Sequence, residues 1–209
     1  MKIDIKICGL TNLEDARAAR EAGADFLGFV LYPRSPRGIT ATRLRRITER
    51  LAGGVKTIGV FVNEPRASIL QVAADSGLYA VQLHGDEPAA DYLSMPIVTW
   101  RAIRLGGKTC SPAPAGWPAA RYVLDAAAPG AYGGTGRRTD WKMAAELARQ
   151  YPVMLAGGLT PDNVAAAIRR VRPLGVDTAS GVEQAPGKKD HRQLAAFMRA
   201  VWDCRKTQL

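Results

Sequence analysis

The sequence is poor in cysteine and histidine, and this scarcity limits the disulfide and metal chemistry that it can support. Its 209 residues include three cysteines, an odd number without CxxC spacing: Cys8, Cys110 and Cys204. Neither a disulfide framework nor a zinc site is predicted from them. Of the two histidines, His84 follows a predicted strand without a His or carboxylate cluster beside it, and we expect no bound metal.

Long hydrophobic runs are also absent. No stretch approaches the ~20 consecutive apolar residues that a membrane-spanning helix needs. The opening residues, Met-Lys-Ile-Asp-Ile, include an acid and no long apolar core, which is unlike a secretory signal. Because unpaired cysteines also suit a reducing compartment, these features predict a cytoplasmic protein with no membrane partner.

Aromatic residues are few, and this counts against nucleic-acid binding, which the basic charge would otherwise suggest. The chain has 29 Lys and Arg against 19 Asp and Glu, and its formal net charge of +10 raises nucleic acid as a partner. However, the arginines are scattered over the polar faces of predicted helices. Aromatic residues, 7% of the chain, do not interleave with them as stacking platforms. A solvated basic surface is favoured, and nucleic-acid binding is kept as an alternative.

What the sequence does contain is a regular alternation of strands and helices. Strands are predicted at Lys2–Cys8, Asp25–Leu31, Val55–Val62, Tyr79–His84, Ile97–Ile103, Arg121–Ala126, Val153–Ala156 and Gly175–Ala179. Helices are predicted between them, except that residues 105–119 hold three glycines and three prolines, so the fifth helix is short or vestigial. This order predicts an α/β fold, a single (β/α)8 TIM barrel catalytic domain over residues 1–209. An open, doubly wound sheet is the alternative, but it calls for a dinucleotide fingerprint that residues 8–12 lack.

Helix starts are marked by capping residues. Asn12, with Asp15 three residues later, is expected to begin the first helix, and Thr40 the second. Thr160 followed by Pro161 predicts a cap and a proline at the first helical position of another helix. A glycine-rich loop is predicted over residues 129–138.

Chemistry-bearing residues follow the strands, where a barrel builds its active site. They are Cys8, Arg37, Gln82, His84, Arg101, Asp125, Gly157, Gly158 and the segment 177–181. The glycine pair after the seventh strand, and Ser180-Gly181 after the eighth, stand where barrels commonly bind phosphate. The alternative is that these glycines merely form tight turns.

Two of these residues suit proton transfer. Cys8 ends the first strand and Asp125 the sixth, three positions apart in a ring of eight, so they would face each other across a small substrate. Desolvation would help Asp125 act as a general acid, although a helix cap or an ion pair is the alternative. A buried cysteine is commonly a small core residue. Arg37 could bind a carboxylate with its planar fork, or be a solvated loop arginine.

A series of motifs in chain order carries a resemblance. They are Lys6-Ile7-Cys8-Gly9-Leu10-Thr11, Ser35-Pro36-Arg37, Gln82-Leu83-His84-Gly85, Leu124-Asp125, Gly133-Gly134-Thr135-Gly136 with Asp140-Trp141, Ala156-Gly157-Gly158-Leu159, and Ser180-Gly181-Val182-Glu183 with Pro186-Gly187-Lys188-Lys189-Asp190. The sequence closely resembles the phosphoribosylanthranilate isomerase family over these motifs. One departure is Asp177-Thr178-Ala179-Ser180, a looser version of the usual Asp-Val-Ser-Ser, which puts one phosphate contact in question.

The resemblance implies an activity in tryptophan biosynthesis. The implied enzyme is a cofactor-free isomerase of the intramolecular oxidoreductase, aldose–ketose type. It would convert the small phosphosugar N-(5′-phosphoribosyl)anthranilate to 1-(2-carboxyphenylamino)-1-deoxyribulose 5-phosphate by an Amadori rearrangement. Cys8 would be the general base and Asp125 the general acid, and Arg37 would hold the anthranilate carboxylate. Gly157, Gly158, Ser180 and Gly181 would hold the phosphate, and Asp177 the sugar.

Other phosphosugar barrel enzymes remain as alternatives. A metal-dependent epimerase requires paired aspartates and histidines, which the sequence lacks. An indole-forming synthase requires a strand-end lysine, and from strand alternation we expect Lys6 to point away from the face that carries Cys8. For assembly, a monomer is favoured over a homodimer.

Overall fold

The computed structural model describes residues 3–51, 54–106, 109–126, 132 and 138–206, and its centre is a closed barrel. The parallel strands are β1 (Asp4–Ile7), β2 (Phe26–Val30), β3 (Lys56–Phe61), β4 (Ala80–Leu83), β5 (Val98–Gly106), β6 (Arg121–Ala126), β7 (Val153–Leu155) and β8 (Gly175–Thr178). Each pairs with the next, and β8 pairs with β1, so the sheet closes. The predicted (β/α)8 barrel is confirmed.

Seven helices are described around the barrel. They are α1 (Leu13–Glu21), α2 (Ala41–Arg50), α3 (Arg66–Asp75), α4 (Ala89–Tyr92), α5 (Trp141–Ala148), α6 (Val164–Val171) and α7 (His191–Lys206). Between β5 and β6 the described chain has a short antiparallel strand, Thr109–Ser111, and a 3-10 turn, Pro114–Gly116, instead of a helix. The vestigial fifth helix is therefore confirmed. None of the described helices is long and apolar enough to cross a membrane.

Strand β1 shows how alternation divides the two sides of the barrel wall. Ile5 and Ile7 pack in the hydrophobic layer between barrel and helices. The alternate side chain of Lys6 is fully buried inside the barrel, where it contacts Asp177 of β8. Our expectation that Lys6 points away from Cys8 is wrong, because residues two apart on a strand project to the same side.

The amino-terminal part of the barrel interior is filled by side chains. A second hydrophobic cluster lies inside the ring: Phe26, Ile58, Ala80, Trp100, Val123, Met154 and Ala156. Below it, Arg121 forms an ion pair of 2.7 Å with Asp4 and lies over the rings of Phe26 and Trp100. This packing leaves the site to the loops at the carboxyl ends of the strands.

The helix starts agree with the predicted caps, with one exception. Asn12 accepts a hydrogen bond from the Asp15 N–H at 2.8 Å, and Thr40 caps α2 in the same way. Helix α6, however, begins at Val164 rather than at Pro161. Asn163 accepts from the Thr160 N–H and donates to the Gly158 carbonyl, which holds residues 158–163 in a turn before the helix. Of the predicted loop 129–138, Tyr132 and Arg138 are described and the other residues lie outside the described part.

Candidate active site

A cavity of about 340 Å³ lies at the carboxyl ends of the strands. Its wall includes the eight residues to which the family resemblance assigns a role: Cys8, Arg37, Asp125, Gly157, Gly158, Asp177, Ser180 and Gly181. Gln82 and His84 line it as well. The barrel topology thus brings together residues that are up to 173 positions apart in the sequence. This is expected, because the loops that follow the strands of a barrel all meet at one face.

Cys8 and Asp125 are held by backbone hydrogen bonds on two walls of this cavity. The Cys8 N–H donates to the Thr178 carbonyl at 2.8 Å, which fixes the end of β1 against β8. Asp125 Oδ1 accepts from the Ala126 N–H at 2.8 Å, and Oδ2 lies 3.7 Å from His84 Nε2. Both side chains are largely buried, so a substrate that reaches them is shielded from bulk water.

His84 is a neutral residue in this setting. Burial, followed by the charges of Lys6, Arg101 and Arg104, lowers the pKa of His84 to about 3. The Gln82 amide donates to His84 Nδ1 at 3.0 Å, which assigns the imidazole proton to Nε2, on the side of Asp125. His84 is therefore not a proton carrier at neutral pH, and its Nε2 lies 3.7 Å from Asp125 Oδ2 without a hydrogen-bond partner among the described residues.

A buried charge cluster surrounds the Cys8 sulfur. Lys6 Nζ lies 2.9 Å from Asp177 Oδ2, and Lys6 is fully buried. Cys8 Sγ and Lys6 Nζ both lie next to Gly28 on the neighbouring strand β2. A Cβ atom built on this glycine would lie 2.7 Å from Cys8 Sγ and 3.1 Å from Lys6 Nζ. The ammonium group is thus placed near the sulfur. Asp177 Oδ1, also buried, has no hydrogen-bond partner among the described residues.

Arg37 is oriented by a second cluster of charges. Its Nε donates to Glu183 at 2.9 Å and its Nη2 at 2.7 Å, so the carboxylate takes one edge of the guanidinium plane. Lys189 Nζ donates to the same carboxylate at 2.9 Å and to the Cys8 and Ala179 carbonyls at 2.7 and 3.0 Å. Although burial raises the pKa of Glu183, hydrogen bonds and charge from Arg37 and Lys189 more than reverse this, so its pKa is lowered.

The loops after β7 and β8 contact each other at the cavity wall. Gly157 and Gly158 both have left-handed backbone conformations, with φ of 82° and 63°. The Thr178 hydroxyl donates to the Leu159 carbonyl at 2.9 Å, and a Cβ at Gly181 would collide with that same carbonyl oxygen. Thr178, one of the departures from the family motif, therefore joins the two loops.

Arg101 does not belong to the site. The sequence places it at the end of a strand, yet its side chain pairs with Glu87 at 2.8 Å and lies over the Trp117 ring on the outer side of the wall. Trp100, the residue before it, points into the barrel. The predicted strand is confirmed, but Arg101 lies within β5 and not at its end, and strand alternation puts its side chain on the opposite side of the wall.

Sequence reasoning missed the roles of Glu183 and Lys189. Both belong to a short antiparallel ribbon, Glu183–Ala185 with Lys188–Lys189, that folds back over the end of β8. The available signal was the Pro186-Gly187 turn between two short polar segments. Within the described ranges, no group of three or more His, Cys, Asp or Glu side chains could hold a metal ion.

Comparison with known proteins identifies the family. The model of the N-(5′-phosphoribosyl)anthranilate (PRA) isomerase family matches residues 5–200. The chain belongs to the PRA isomerase family. A relative from Pelobacter propionicus, N-(5′-phosphoribosyl)anthranilate isomerase, is 46% identical over 97% of this chain and 97% of its own length.

Solved members of the family have the same architecture. Phosphoribosyl anthranilate isomerase from Thermus thermophilus is 36% identical, with a TM-score of 0.87 over 96% of this chain and 99% of that one. Another isomerase is 36% identical, with a TM-score of 0.82 over 97% of this chain and 100% of that one. It was solved in complex with reduced 1-(o-carboxyphenylamino)-1-deoxyribulose 5-phosphate.

Proposed function

We propose that the chain is a phosphoribosylanthranilate isomerase of tryptophan biosynthesis, with Cys8 as general base and Asp125 as general acid. The observation that carries this proposal is the placement of both residues on the wall of one cavity, beside the two glycine loops. Membership of the PRA isomerase family supplies the substrate, N-(5′-phosphoribosyl)anthranilate. The product is 1-(2-carboxyphenylamino)-1-deoxyribulose 5-phosphate.

The first step is ring opening. Asp125 donates a proton to the furanose ring oxygen, the bond between that oxygen and C1′ breaks, and its electron pair stays on oxygen. The anthranilate nitrogen lone pair forms a C=N bond to C1′, giving a protonated Schiff base. The neutral His84 imidazole, whose Nε2 lies 3.7 Å from Asp125 Oδ2, borders the carboxylate that this step leaves behind.

The second step is deprotonation at C2′. The iminium group makes the C2′ proton acidic, and the Cys8 thiolate removes it. The C–H electron pair becomes a C1′=C2′ bond, and the C=N electron pair returns to nitrogen, giving an enolamine. Loss of the 2′-hydroxyl proton and protonation of C1′ then give the ketone. C1′ is reduced and C2′ oxidised within one molecule, so the step balances without an external oxidant, and we propose that no cofactor takes part.

Three groups of contacts orient the substrate in this proposal. Arg37, whose guanidinium plane is fixed by Glu183, binds the anthranilate carboxylate. Gly157 and Gly158, together with Ser180 and Gly181, bind the phosphate through backbone N–H groups and the serine hydroxyl. Asp177 contacts the sugar, and its Oδ1, which has no hydrogen-bond partner within the described chain, supports this assignment.

A fluorescence assay tests the proposed activity. Phosphoribosylanthranilate is fluorescent, and we expect purified protein to remove this signal as the substrate is isomerised, without added metal or cofactor. The Cys8→Ala variant is the control for uncatalysed decay of the substrate. Equal decay with the wild-type protein and this variant would contradict the proposal.

Replacement of Arg37 by alanine is expected to raise KM more than it lowers kcat. The lost charge-assisted hydrogen bonds contribute roughly 1.5–3 kcal/mol, so KM should rise about 10- to 100-fold. Steady-state kinetics measure both constants. Arg43→Ala, the same substitution at an exposed arginine of α2, is the control and should leave both unchanged. An unaltered KM in Arg37→Ala would remove the carboxylate contact from the proposal.

Replacement of Gly181 by alanine is expected to weaken phosphate binding. The new Cβ meets the Leu159 carbonyl oxygen, so the backbone of both loops has to move. A displacement of about 1 Å there should lower kcat/KM by roughly 10- to 100-fold. Gly116→Ala is the matched control, because a Cβ at Gly116 meets nothing within 4 Å. Wild-type kcat/KM in the Gly181 variant would show that this loop pair does not position the phosphate.

We further propose that residues 1–209 act as one monomeric catalytic domain in the cytoplasm. Four large hydrophobic side chains of the described residues are more than a third exposed: Tyr79, Leu93, Val98 and Leu174. Leu174 precedes β8, across the ring from β4 and Tyr79. Light scattering should give the mass of one chain. The three free cysteines support a reducing compartment.

A further inference from the structure

We propose that Lys6, held by Asp177, is a positioning residue that stabilises the thiolate form of Cys8 and so prepares it to accept the C2′ proton. The inference extends the proposed function, because it assigns a source to the basicity that the second step requires. A thiolate, not a thiol, is the reactive form of cysteine, and nearby cations favour it.

The geometry places the ammonium group of Lys6 close to the Cys8 sulfur and away from water. Lys6 and Cys8 project from β1 to the same side, and Lys6 is fully buried, so water does not screen its charge. Lys6 Nζ and Cys8 Sγ both border the space over Gly28 of the neighbouring strand β2. Asp177, at 2.9 Å, keeps the ammonium in this place.

Other charged and titratable groups face the sulfur from several elements. Lys189, on the ribbon, directs its Nζ to the Cys8 and Ala179 carbonyls and to Glu183, and Glu183 also pairs with Arg37. Asp125 and His84 lie on other parts of the cavity wall. Asp177 faces the sulfur from β8 and opposes thiolate formation. Of the cations around it, Lys6 has the strongest effect on the sulfur.

This arrangement has opposing effects on the pKa of the Cys8 thiol. Burial raises the pKa of the Cys8 thiol, and the Lys6 charge is the largest influence that lowers it. For Lys6 itself, burial favours the neutral amine, but the charges of Asp177 and Cys8 outweigh this and its pKa is raised, so the lysine stays protonated. Loss of Lys6 would therefore leave the Cys8 pKa higher still.

The test is the alkylation of Cys8 by iodoacetamide across a range of pH, in protein that carries Cys110→Ser and Cys204→Ser. In Lys6→Met, we expect the Cys8 pKa to rise by at least about one pH unit, which lowers the thiolate fraction at neutral pH about tenfold. The ascending limb of kcat/KM against pH should move to higher pH by the same amount, because the base must be deprotonated. Lys6→Arg should restore part of this shift.

Matched variants separate this role from a structural one. Lys189→Met removes a second buried lysine and should shift the Cys8 pKa less, while Lys188→Met, at the exposed neighbour, should not shift it. If Lys6→Met does not fold, the pair Lys6→Met and Asp177→Asn removes both buried charges. The Cys8 pKa should still rise there, because the lysine influences the sulfur more than the aspartate does.

An unchanged Cys8 pKa in the folded Lys6 variants would overturn the proposal, even if turnover falls. The opposite result is also informative. If the Lys6 variants raise the Cys8 pKa but the wild-type protein does not isomerise phosphoribosylanthranilate, the proposed function is overturned and the effect of Lys6 on Cys8 is retained. The thiol titration needs no substrate, so the two failures are distinguishable.

Discussion

Asp125→Asn is expected to lower kcat by about 10²- to 10⁴-fold, the usual contribution of a general acid. The amide has nearly the shape of the carboxyl group, and its oxygen can still accept the Ala126 N–H, so the fold and the cavity should persist. What is lost is the proton for the ring oxygen, without which ring opening produces an unstabilised alkoxide. Steady-state assays give kcat, and binding of the reduced product analogue checks that the cavity is intact.

The control for this prediction is Asp91→Asn, at an exposed aspartate of α4, which should leave turnover unchanged. If Asp125→Asn turns over at a rate near that of the wild type, another group protonates the ring oxygen. His84 is excluded as that acid at neutral pH by its low pKa, because its imidazole is already deprotonated. A surviving activity would therefore point to the substrate's own groups or to water.

Cys8→Ala and Cys8→Ser are both expected to lower kcat by about 10²- to 10⁴-fold, because a positioned base contributes on this scale. The serine variant is the sharper test, since its hydroxyl nearly matches the thiol in size and can still contact Lys6 but does not ionise near neutral pH. The backbone bond from Cys8 to Thr178 is independent of the side chain, so substrate binding should change little.

Cys110→Ala controls for the loss of a cysteine as such. Cys110 lies on the short strand after β5, outside the cavity, and its replacement should leave kcat unchanged. If Cys8→Ser kept most of the wild-type turnover, the thiolate would not be the base.

The sequence predicted the barrel, and the placement of the candidate residues around one cavity, better than it predicted the contacts among them. Strand ends are visible locally, because an apolar run stops at a polar or small residue such as Cys8 or Asp125, and barrel topology then collects them at one face. The partners of these residues are distant in the sequence. Lys6 and Asp177 are 171 residues apart, and Arg37 and Glu183 are 146 apart. No local pattern encodes such pairs.

In both wrong predictions the strand itself is present, but the side of the barrel wall to which a side chain points is wrong. Lys6 was placed on the wrong side of β1, although the interval of two from Cys8 requires the same side. Arg101 was placed among the site residues, although Trp100 occupies the inward position next to it. In a barrel, the inner side of a strand includes charged residues, so polarity alone does not tell which side faces the helices.

The bonds from Lys189 to the Cys8 carbonyl and to Glu183 have a consequence for biosynthesis of the molecule on the ribosome. Cys8 is translated long before Asp177 of β8 and before Glu183 and Lys189 of the ribbon, which supply contacts around it. A nascent chain that ends before β8 therefore carries a thiol without these late-arriving neighbours, and without the second glycine loop. The proposed site is therefore complete only after β8 has been synthesised and has paired with β1.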